Sequence, residues 1–182
     1  MWFKVIAACI PAAVAGLLLN DFMENFENWQ VVSATLIIYG IAFIIIEKLN
    51  KKTTINSINE LSYTKAIGIG LFQVLSIIPG TSRSGSTILG GMMLGTSRSV
   101  AAEFSFFLAI PVMFGVSALK IVTYEGIIDW VLLGIGMIVS YIVSMLAIKF
   151  LMNFVKKHNF SSFGWYRIAL AIVVILFFTI FR

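Results

Sequence analysis

Long apolar segments separated by short polar connections dominate the pattern along this chain. Each segment is about 20 residues long, the length that an α-helix needs to cross the hydrocarbon core of a bilayer. Several begin at a tryptophan, a residue that favours the membrane interface. The segments are Met1 to Leu19, Trp29 to Ile46, Phe104 to Val122, Trp130 to Ile148 and Trp165 to Phe181. The pattern predicts an all-α, polytopic membrane protein with about five transmembrane helices.

A sixth apolar stretch, between the second and third segments, has a different pattern. Its first arm, Ala66 to Ile78, is too short to cross a bilayer at about 1.5 Å per residue. The arm ends at Pro79-Gly80, a polar run follows from Thr81 to Thr87, and an apolar stretch resumes as Ile88 to Gly95. This order predicts a re-entrant helix-loop-helix hairpin over residues 66–95, and irregular backbone at that depth is tolerated only inside protein or beside a wet cavity.

Composition supports the membrane assignment. The 182 residues are 60% hydrophobic and 12% charged, with a mean hydropathy of +1.01, whereas soluble domains are about 45–50% apolar. One cysteine and one histidine exclude a disulfide framework and a Cys/His metal cluster built within this chain. A metal ion here would therefore need oxygen ligands.

The distribution of basic residues distinguishes two topologies. If 66–95 is re-entrant, two basic residues, Lys120 and Arg182, lie on one side of the membrane, and Arg83 lies at the hairpin tip. The other side holds ten: Lys4, Lys48, Lys51, Lys52, Lys65, Arg98, Lys149, Lys156, Lys157 and Arg167. A full crossing would give seven against five. Because cytoplasmic loops are enriched in Lys and Arg, the count favours the hairpin and explains the net charge of +5 without a nucleic-acid partner.

The polar run at the hairpin tip has the chemistry of an anion site. Gly80 and Gly85 permit a tight backbone path, and a helix beginning near Ser86 would direct free N–H groups and a positive dipole end at the cavity. Arg83 adds a planar fork suited to phosphate oxygens. Hydroxyl groups come from Ser82, Ser84, Ser86 and Thr87. A plain interfacial loop is the alternative, but an arginine between apolar flanks is costly unless it is used.

Three further features lie near the tip. The run Gly95 to Ser99 repeats the Gly-Thr-Ser-Arg-Ser of Gly80 to Ser84, and we interpret it as a cap for the next helix, with Arg98 at the headgroup level. Glu103 would either orient Arg83 or favour the helix N-terminus. Gln73, on the first arm, is a candidate hydrogen-bonding partner of the tip or a helix-packing residue.

These residues resemble a signature region of the undecaprenyl-diphosphatase family, the bacitracin-resistance proteins. The resemblance is carried by Gln73 to Ile88 and by Glu103-Phe104-Ser105-Phe106, and it continues through Lys4 to Gly16 and Gly164 to Arg167. It implies an enzyme of the bacterial inner membrane that hydrolyses undecaprenyl diphosphate to the monophosphate and so recycles the lipid carrier of cell-wall synthesis. The implied partners are that lipid, the bilayer and a second copy in a homodimer.

The resemblance also implies roles for individual residues. Arg83 would stabilise charge on the transferred phosphoryl group, and Ser82 would act either as a nucleophile or as a substrate-orienting hydroxyl. Thr87 and Ser84 would bind phosphate oxygens. The remaining substrate-binding candidates are Gly80, Thr81, Gly85, Ser86, Gln73 and Glu103.

One departure from the family pattern concerns the metal. Family members carry a first re-entrant signature with paired glutamates and a histidine, which nothing here matches, and a Mg²⁺ or Ca²⁺ cofactor would be held there. We therefore interpret residues 1–182 as a single transmembrane domain resembling the C-terminal two-thirds of a two-repeat phosphatase, with no metal ligands of its own. His158 is expected to be a solvated loop residue. A lipid-carrier flippase and an inactive truncated remnant are the alternatives.

Overall fold

A computed structural model describes residues 1–49, 53–126 and 128–180, and within these ranges the chain forms seven α-helices and no β-strand. Two single-turn 3₁₀ helices, Ile58–Glu60 and Leu75–Ile77, lie before and after α3. The α-helices are α1 (Trp2–Glu24), α2 (Trp29–Lys48), α3 (Tyr63–Val74), α4 (Arg83–Met93), α5 (Arg98–Thr123), α6 (Trp130–Lys157) and α7 (Ser161–Ile180).

Five of these helices are long and apolar enough to cross a membrane, namely α1, α2, α5, α6 and α7. They confirm the five predicted spans, although two of them begin earlier than predicted. Helix α5 begins at Arg98 because the side chain of Ser97 accepts a hydrogen bond from Val100 N, which confirms that the second Gly-Thr-Ser-Arg-Ser run caps a helix. Helix α7 begins at Ser161 rather than at Trp165.

Helices α3 and α4 form the predicted hairpin. Gly68 of α3 packs against Leu94, and Phe72, one turn further along α3, packs against Gly90. Later residues of α3 therefore pack against earlier residues of α4, so the two arms are antiparallel.

Both ends of this hairpin lie at the same end of the helix bundle. The amides of Thr54 and Ile55, before α3, donate to the carbonyl of Gly95, after α4. The amide of Ser97 returns a bond to the carbonyl of Ile55. Because these bonds close the base of the hairpin, the chain enters and leaves on one side, as a re-entrant segment must.

One prediction about the hairpin was wrong. We expected α4 to begin near Ser86, but it begins at Arg83 with Ser82 as its N-cap. The polar run therefore forms the first turn and a half of a helix, and Ser84, Ser86 and Thr87 point in different directions around that helix instead of lining a loop together.

Helices α2 and α7 are antiparallel neighbours that approach closely at two glycines. A Cβ on Gly40 would lie 2.7 Å from Ile168 Cγ1, and one on Gly164 would lie 2.6 Å from the Gly40 carbonyl oxygen. At one end of the pair the rings of Trp29 and Phe178 stack at 5.5 Å. Larger residues at the two glycines would force the helices apart.

The buried apolar residues form two clusters on either side of the hairpin. One joins α1, α3 and α5 around Ile69, Phe104 and Leu108. The other joins α2, α4, α5 and the last turns of α6 around Phe43, Ile88 and Phe160, which lies just before α7. The large apolar side chains of α6 are instead almost all exposed from Trp130 to Phe150, as expected of a helix that faces lipid.

Candidate functional site

The hairpin tip is fixed by its fit against α2. Gly80 has a φ of 83°, and a Cβ at this position would overlap Thr35 Oγ1 and lie 2.9 Å from Val32 Cα. The hydroxyl oxygen of Thr35 lies 2.9 Å from the carbonyl oxygen of Pro79. Only glycine satisfies both the positive φ and the close approach, so the tip is held against α2 through its backbone.

Ser82 occupies a strained position at the head of α4. Its φ is 68°, and it is the one residue other than glycine with a positive φ in the described part of the chain. Its Oγ accepts a hydrogen bond from Gly85 N at 3.2 Å and lies 3.3 Å from Ser84 Oγ. The side chain is exposed. Such strain costs about 1–3 kcal/mol and is concentrated at functional sites.

The first turn of α4 presents unbonded amides beside this serine. Ser82 Oγ accepts from Gly85 N, and the Ser82 carbonyl accepts from Ser86 N. The amides of Arg83 and Ser84 have no acceptor among the described hydrogen bonds. Free N–H groups at a helix N-terminus, reinforced by the helix dipole, bind anions.

Arg83 brings a positive charge to the same point. Its side chain is half-buried, and its Nη1 is shielded from solvent without a hydrogen-bond partner among the described residues. A buried guanidinium nitrogen without an acceptor is costly, and a phosphate oxygen would satisfy it.

Three of the predicted site residues face the protein interior instead. Thr81 is buried and donates to the carbonyl oxygens of Ile78 and Leu75 at 2.8 and 3.1 Å. Ser86 is buried and donates to the hydroxyl of Tyr39 at 3.0 Å.

Thr87 is fully buried, and its Oγ1 lies 2.7 Å from Ser105 Oγ of α5. It also donates towards the carbonyl oxygens of Arg83 and Ser84 within its own helix. These contacts lock α4 to α5, and the geometry brings Ser82, Arg83 and Ser84 together on the open side of the tip without Thr87.

The two predicted partners of the tip do not contact it through described hydrogen bonds. Gln73 is 2% exposed on α3, and its Oε1 has no hydrogen-bond partner among the described residues. Glu103 forms no ion pair in the described part of the chain, where the single ion pair joins Arg98 and Glu47. The structure therefore does not support Glu103 as the residue that orients Arg83.

A second arginine at the tip was missed. Arg167 Nη2 donates to the carbonyl oxygens of Gly80 and Thr81 at 2.7 and 3.0 Å, and its guanidinium lies 5.6 Å from the ring centroid of Tyr39. Gly80 contacts Val32 and Thr35 in the first third of α2, and Tyr39 lies halfway along it, so these contacts place the tip within the length of α2. The topology count assigned Arg167 to a connecting loop. It lies inside α7, which reduces the count from ten to nine and leaves its direction unchanged.

The sequence did contain one sign of this role. A charged residue inside a transmembrane segment usually has a partner in the protein interior or a water-filled cavity. In a last segment that begins at Trp165, Arg167 is only the third residue and lies at the interface. Starting it at Ser161 would have placed the arginine well within the membrane.

The described residues offer little to hold a divalent cation at this site. No group of three or more histidine, cysteine, aspartate or glutamate side chains comes together in the described part of the chain. Glu47 is paired with Arg98, and Glu60 accepts from the amides of Asn56 and Ser57 in its own turn. The tip itself is therefore cationic, with Arg83 and Arg167 close to it, and suits a multiply charged anion.

Comparison with known proteins identifies relatives along nearly the whole chain. A family model described as bacitracin resistance protein BacA matches residues 1–173. The undecaprenyl-diphosphatase of Desulfitobacterium hafniense is 53% identical over 186 residues, which cover 98% of this chain and 67% of that protein. The undecaprenyl-diphosphatase of Lactiplantibacillus plantarum is 52% identical, covering 99% and 69%. Undecaprenyl-diphosphatase 1 of Clostridioides difficile is 51% identical, covering 98% and 66%. The chain thus spans about two-thirds of the length of these relatives.

Proposed function

Because the chain belongs to the bacitracin resistance protein family, we propose that it is an undecaprenyl-diphosphatase, which hydrolyses undecaprenyl diphosphate to undecaprenyl phosphate and inorganic phosphate. The reaction returns the lipid carrier of cell-wall synthesis to its monophosphate form and thereby confers bacitracin resistance. The observation that carries the proposal is the junction of Ser82 and Arg83. A strained, exposed hydroxyl, two free amides and a guanidinium with an unpartnered nitrogen meet there, against a membrane-spanning helix.

The diphosphate would bind at the head of α4. Its terminal phosphate would accept hydrogen bonds from the amides of Arg83 and Ser84 and from the Arg83 guanidinium, all of which lack acceptors in the described structure. The apolar faces that flank the hairpin open to lipid and would accommodate the prenyl chain without a dedicated pocket.

Ser82 would act as a substrate-orienting hydroxyl. Its oxygen already accepts from Gly85 N, and its hydroxyl proton can donate to a phosphate oxygen when Ser84 is the donor of the Ser82–Ser84 bond. A serine nucleophile also needs a neighbouring base to take its proton, and no histidine or carboxylate is hydrogen-bonded to Ser82 in the described structure. We therefore favour orientation over nucleophilic attack for this residue.

Arg83 would supply the main electrostatic stabilisation of the transition state. A water oxygen attacks the terminal phosphorus, and the bond from that phosphorus to the bridging oxygen breaks. Undecaprenyl phosphate leaves with the bridging oxygen, and the water proton passes to solvent. Negative charge spreads over the transferred phosphoryl oxygens and the leaving oxygen, where fixed cations and amides are most effective. Arg167 would hold the tip carbonyls in place while this charge develops.

A divalent cation, Mg²⁺ or Ca²⁺, remains part of the proposal as a requirement of the activity. The acidic residues in the described part of the chain do not gather into a site that fits it. When bound, such an ion would polarise the phosphate oxygens and neutralise part of their charge.

We further propose the bacterial cytoplasmic membrane as the location, with the basic end of the bundle in the cytoplasm. Lys4 contacts the carbonyl of Asn59 at this end. Single cysteines placed at Asn28 and at Asn59, in a chain in which Cys9 is replaced by alanine, test the topology. A membrane-impermeant thiol reagent should label the Asn28 position only from outside and the Asn59 position only from inside. Labelling of both from the same side would overturn the topology.

The activity itself is tested with the full chain in lipid nanodiscs containing undecaprenyl diphosphate. Release of inorganic phosphate, loss of that release on replacing Arg83 by glutamine, and retention of it on replacing Lys120 by glutamine would support the proposal. Lys120 is a matched control because it is a cation at the opposite end of α5 from the hairpin. Binding of the lipid without phosphate release would exclude hydrolysis by this chain and favour a carrier role.

A further inference from the structure

An ion pair at the base of the bundle connects three parts of the chain that are far apart in sequence. Arg98 Nε lies 2.9 and 3.1 Å from the two carboxylate oxygens of Glu47, and Nη2 makes a third bond to Oε2. Glu47 Oε1 also accepts from the backbone amide of Phe160 at 2.8 Å. The carboxylate is 4% exposed, although Arg98 is 45% exposed. We call this group the base clamp; it consists of Glu47, Arg98 and the Phe160 amide.

We expected Arg98 at the headgroup level, and the structure gives its side chain a specific partner at this end of the bundle. A free interfacial arginine would extend into the headgroup region, whereas this one holds a buried carboxylate with a planar fork. A buried carboxylate that lost this partner would be left as an uncompensated charge.

Each partner of Glu47 starts a helix that reaches the hairpin two turns later. Arg98 is the first residue of α5, and seven residues further along the helix Ser105 contacts Thr87 of α4 at 2.7 Å. Phe160 immediately precedes α7, and seven residues further along Arg167 binds the tip carbonyls. At about 1.5 Å per residue, both hairpin contacts lie roughly 10 Å above the clamp.

Both connecting segments are regular helix, so a displacement at the clamp end of each helix also displaces the residue that contacts the hairpin. Ser97 caps α5 through Val100 N, and the Phe160 carbonyl accepts from Gly164 N at 3.1 Å to start α7. A shift of either helix start at the clamp would therefore move its hairpin contact by a similar amount. Atoms misplaced by about 1 Å in an active site can reduce activity by about 100-fold.

We propose that Glu47 and Arg98 are positioning residues for the phosphatase site. The base clamp fixes the starts of α5 and α7 along their helix axes, and the contacts that these two helices make with the hairpin then fix the position of its tip. The effect on catalysis rests on the proposed function. The mechanical part, from clamp to tip, does not depend on it.

The test compares Arg98→Gln, Arg98→Lys and Glu47→Gln with the control Lys48→Gln in the full chain in nanodiscs. Lys48 neighbours Glu47 in sequence, is exposed and has no described side-chain bond, so its replacement removes a charge from the same end without touching the clamp. Hydrogen exchange measured by mass spectrometry should increase in peptides covering 78–87, at the tip, in Arg98→Gln and Glu47→Gln. Arg98→Lys should give an intermediate increase, because an ammonium group keeps the charge but loses the fork.

A merely structural role would give a different pattern. It would increase exchange only in peptides that contain the clamp, around 44–49, 95–101 and 158–163, and leave 78–87 as in Lys48→Gln. That result would overturn the proposal. Phosphate release provides the second readout: kcat per folded molecule should fall at least fivefold in Arg98→Gln with KM changed less than twofold. A kcat within twofold of Lys48→Gln would also overturn it.

Failure of the proposed function is distinguishable from failure of the clamp. If the wild-type chain itself releases no phosphate, that result counts against the phosphatase and not against positioning. Exchange in peptides 78–87 then decides the clamp alone: an increase in both clamp variants supports it, and no change refutes it.

Discussion

Replacing Ser82 with glycine should give a more stable protein than replacing it with alanine, although both changes remove the same hydroxyl. Both variants lose the N-cap bond to Gly85 N, which costs about 1 kcal/mol for alanine and less for glycine. Alanine retains the strain of a φ of 68°, about 1–3 kcal/mol, whereas glycine relieves most of it. Glycine also loses about 0.5–1 kcal/mol through the extra freedom of the unfolded chain. The glycine variant should therefore be about 1–3 kcal/mol more stable than the alanine variant.

The assay is reversible unfolding of each purified variant in mixed micelles of increasing denaturing detergent. A difference of about 1 kcal/mol is about a fivefold change in the folding equilibrium constant, which such titrations resolve. Ser84 provides the matched control, because it lies in the first turn of the same helix without a positive φ. There glycine should be the less stable variant, by up to about 1 kcal/mol.

Glycine should therefore be more stable than alanine at Ser82 and less stable than alanine at Ser84. If alanine proves as stable as glycine at Ser82, the backbone there is not strained and the strain argument for this site is wrong. Both Ser82 variants should also lose most phosphate release, because neither can donate to the substrate. A glycine variant that gains stability and keeps full activity would refute the orienting role.

Three further outcomes are expected. Arg83→Lys should reduce phosphate release at least tenfold, because an ammonium group keeps the charge but lacks the planar fork that matches two phosphate oxygens. Lys120→Arg should leave phosphate release unchanged, and equal losses in the two variants would contradict the role of Arg83. Thr87→Val should lower the free energy of unfolding by about 1 kcal/mol, because it leaves the Ser105 hydroxyl buried without its partner. Adding Ser105→Ala should recover part of that loss in the same unfolding titration. No recovery would contradict the pairing of Thr87 with Ser105. Chelation with EDTA should stop phosphate release and excess Mg²⁺ or Ca²⁺ should restore it; full activity after chelation would refute the cation requirement.

The membrane spans and the interrupted hairpin were predictable because they depend on local properties. Helix length and apolar content decide whether a segment can cross a bilayer, and the pair Pro79-Gly80 is a strong turn signal. The cap at Ser97 was also local, since a serine before a helix-forming run is a strong start signal. These features needed no information from distant parts of the chain.

The start of α4 was not predictable in this way. Ser82, Ser84, Ser86 and Thr87 can each cap a helix, so local preference alone does not choose among them. The start at Ser82 is the one that brings Ser86 to Tyr39 and Thr87 to Ser105. It also requires a positive φ, which local preference opposes.

The part played by Arg167 and Glu47 depends on contacts between distant positions. Arg167 binds carbonyls 86 and 87 residues earlier in the chain, and Glu47 binds an amide 113 residues later. Hydropathy and charge counts locate such residues only relative to the membrane surface. Their partners follow from how the helices pack, which a single sequence does not specify.

The support that α7 gives to the hairpin tip has a consequence for biosynthesis. Chains are made from the N-terminus, so α3 and α4 leave the ribosome well before α7. Until α7 is inserted beside α2, the carbonyls of Gly80 and Thr81 lack their hydrogen bonds from the Arg167 guanidinium. The polar tip then lies in the membrane with fewer hydrogen-bond partners. Maturation of the site is therefore a late event in insertion, since a nascent chain that stalls before α7 has four of its five spanning helices but lacks the Arg167 contact with the tip.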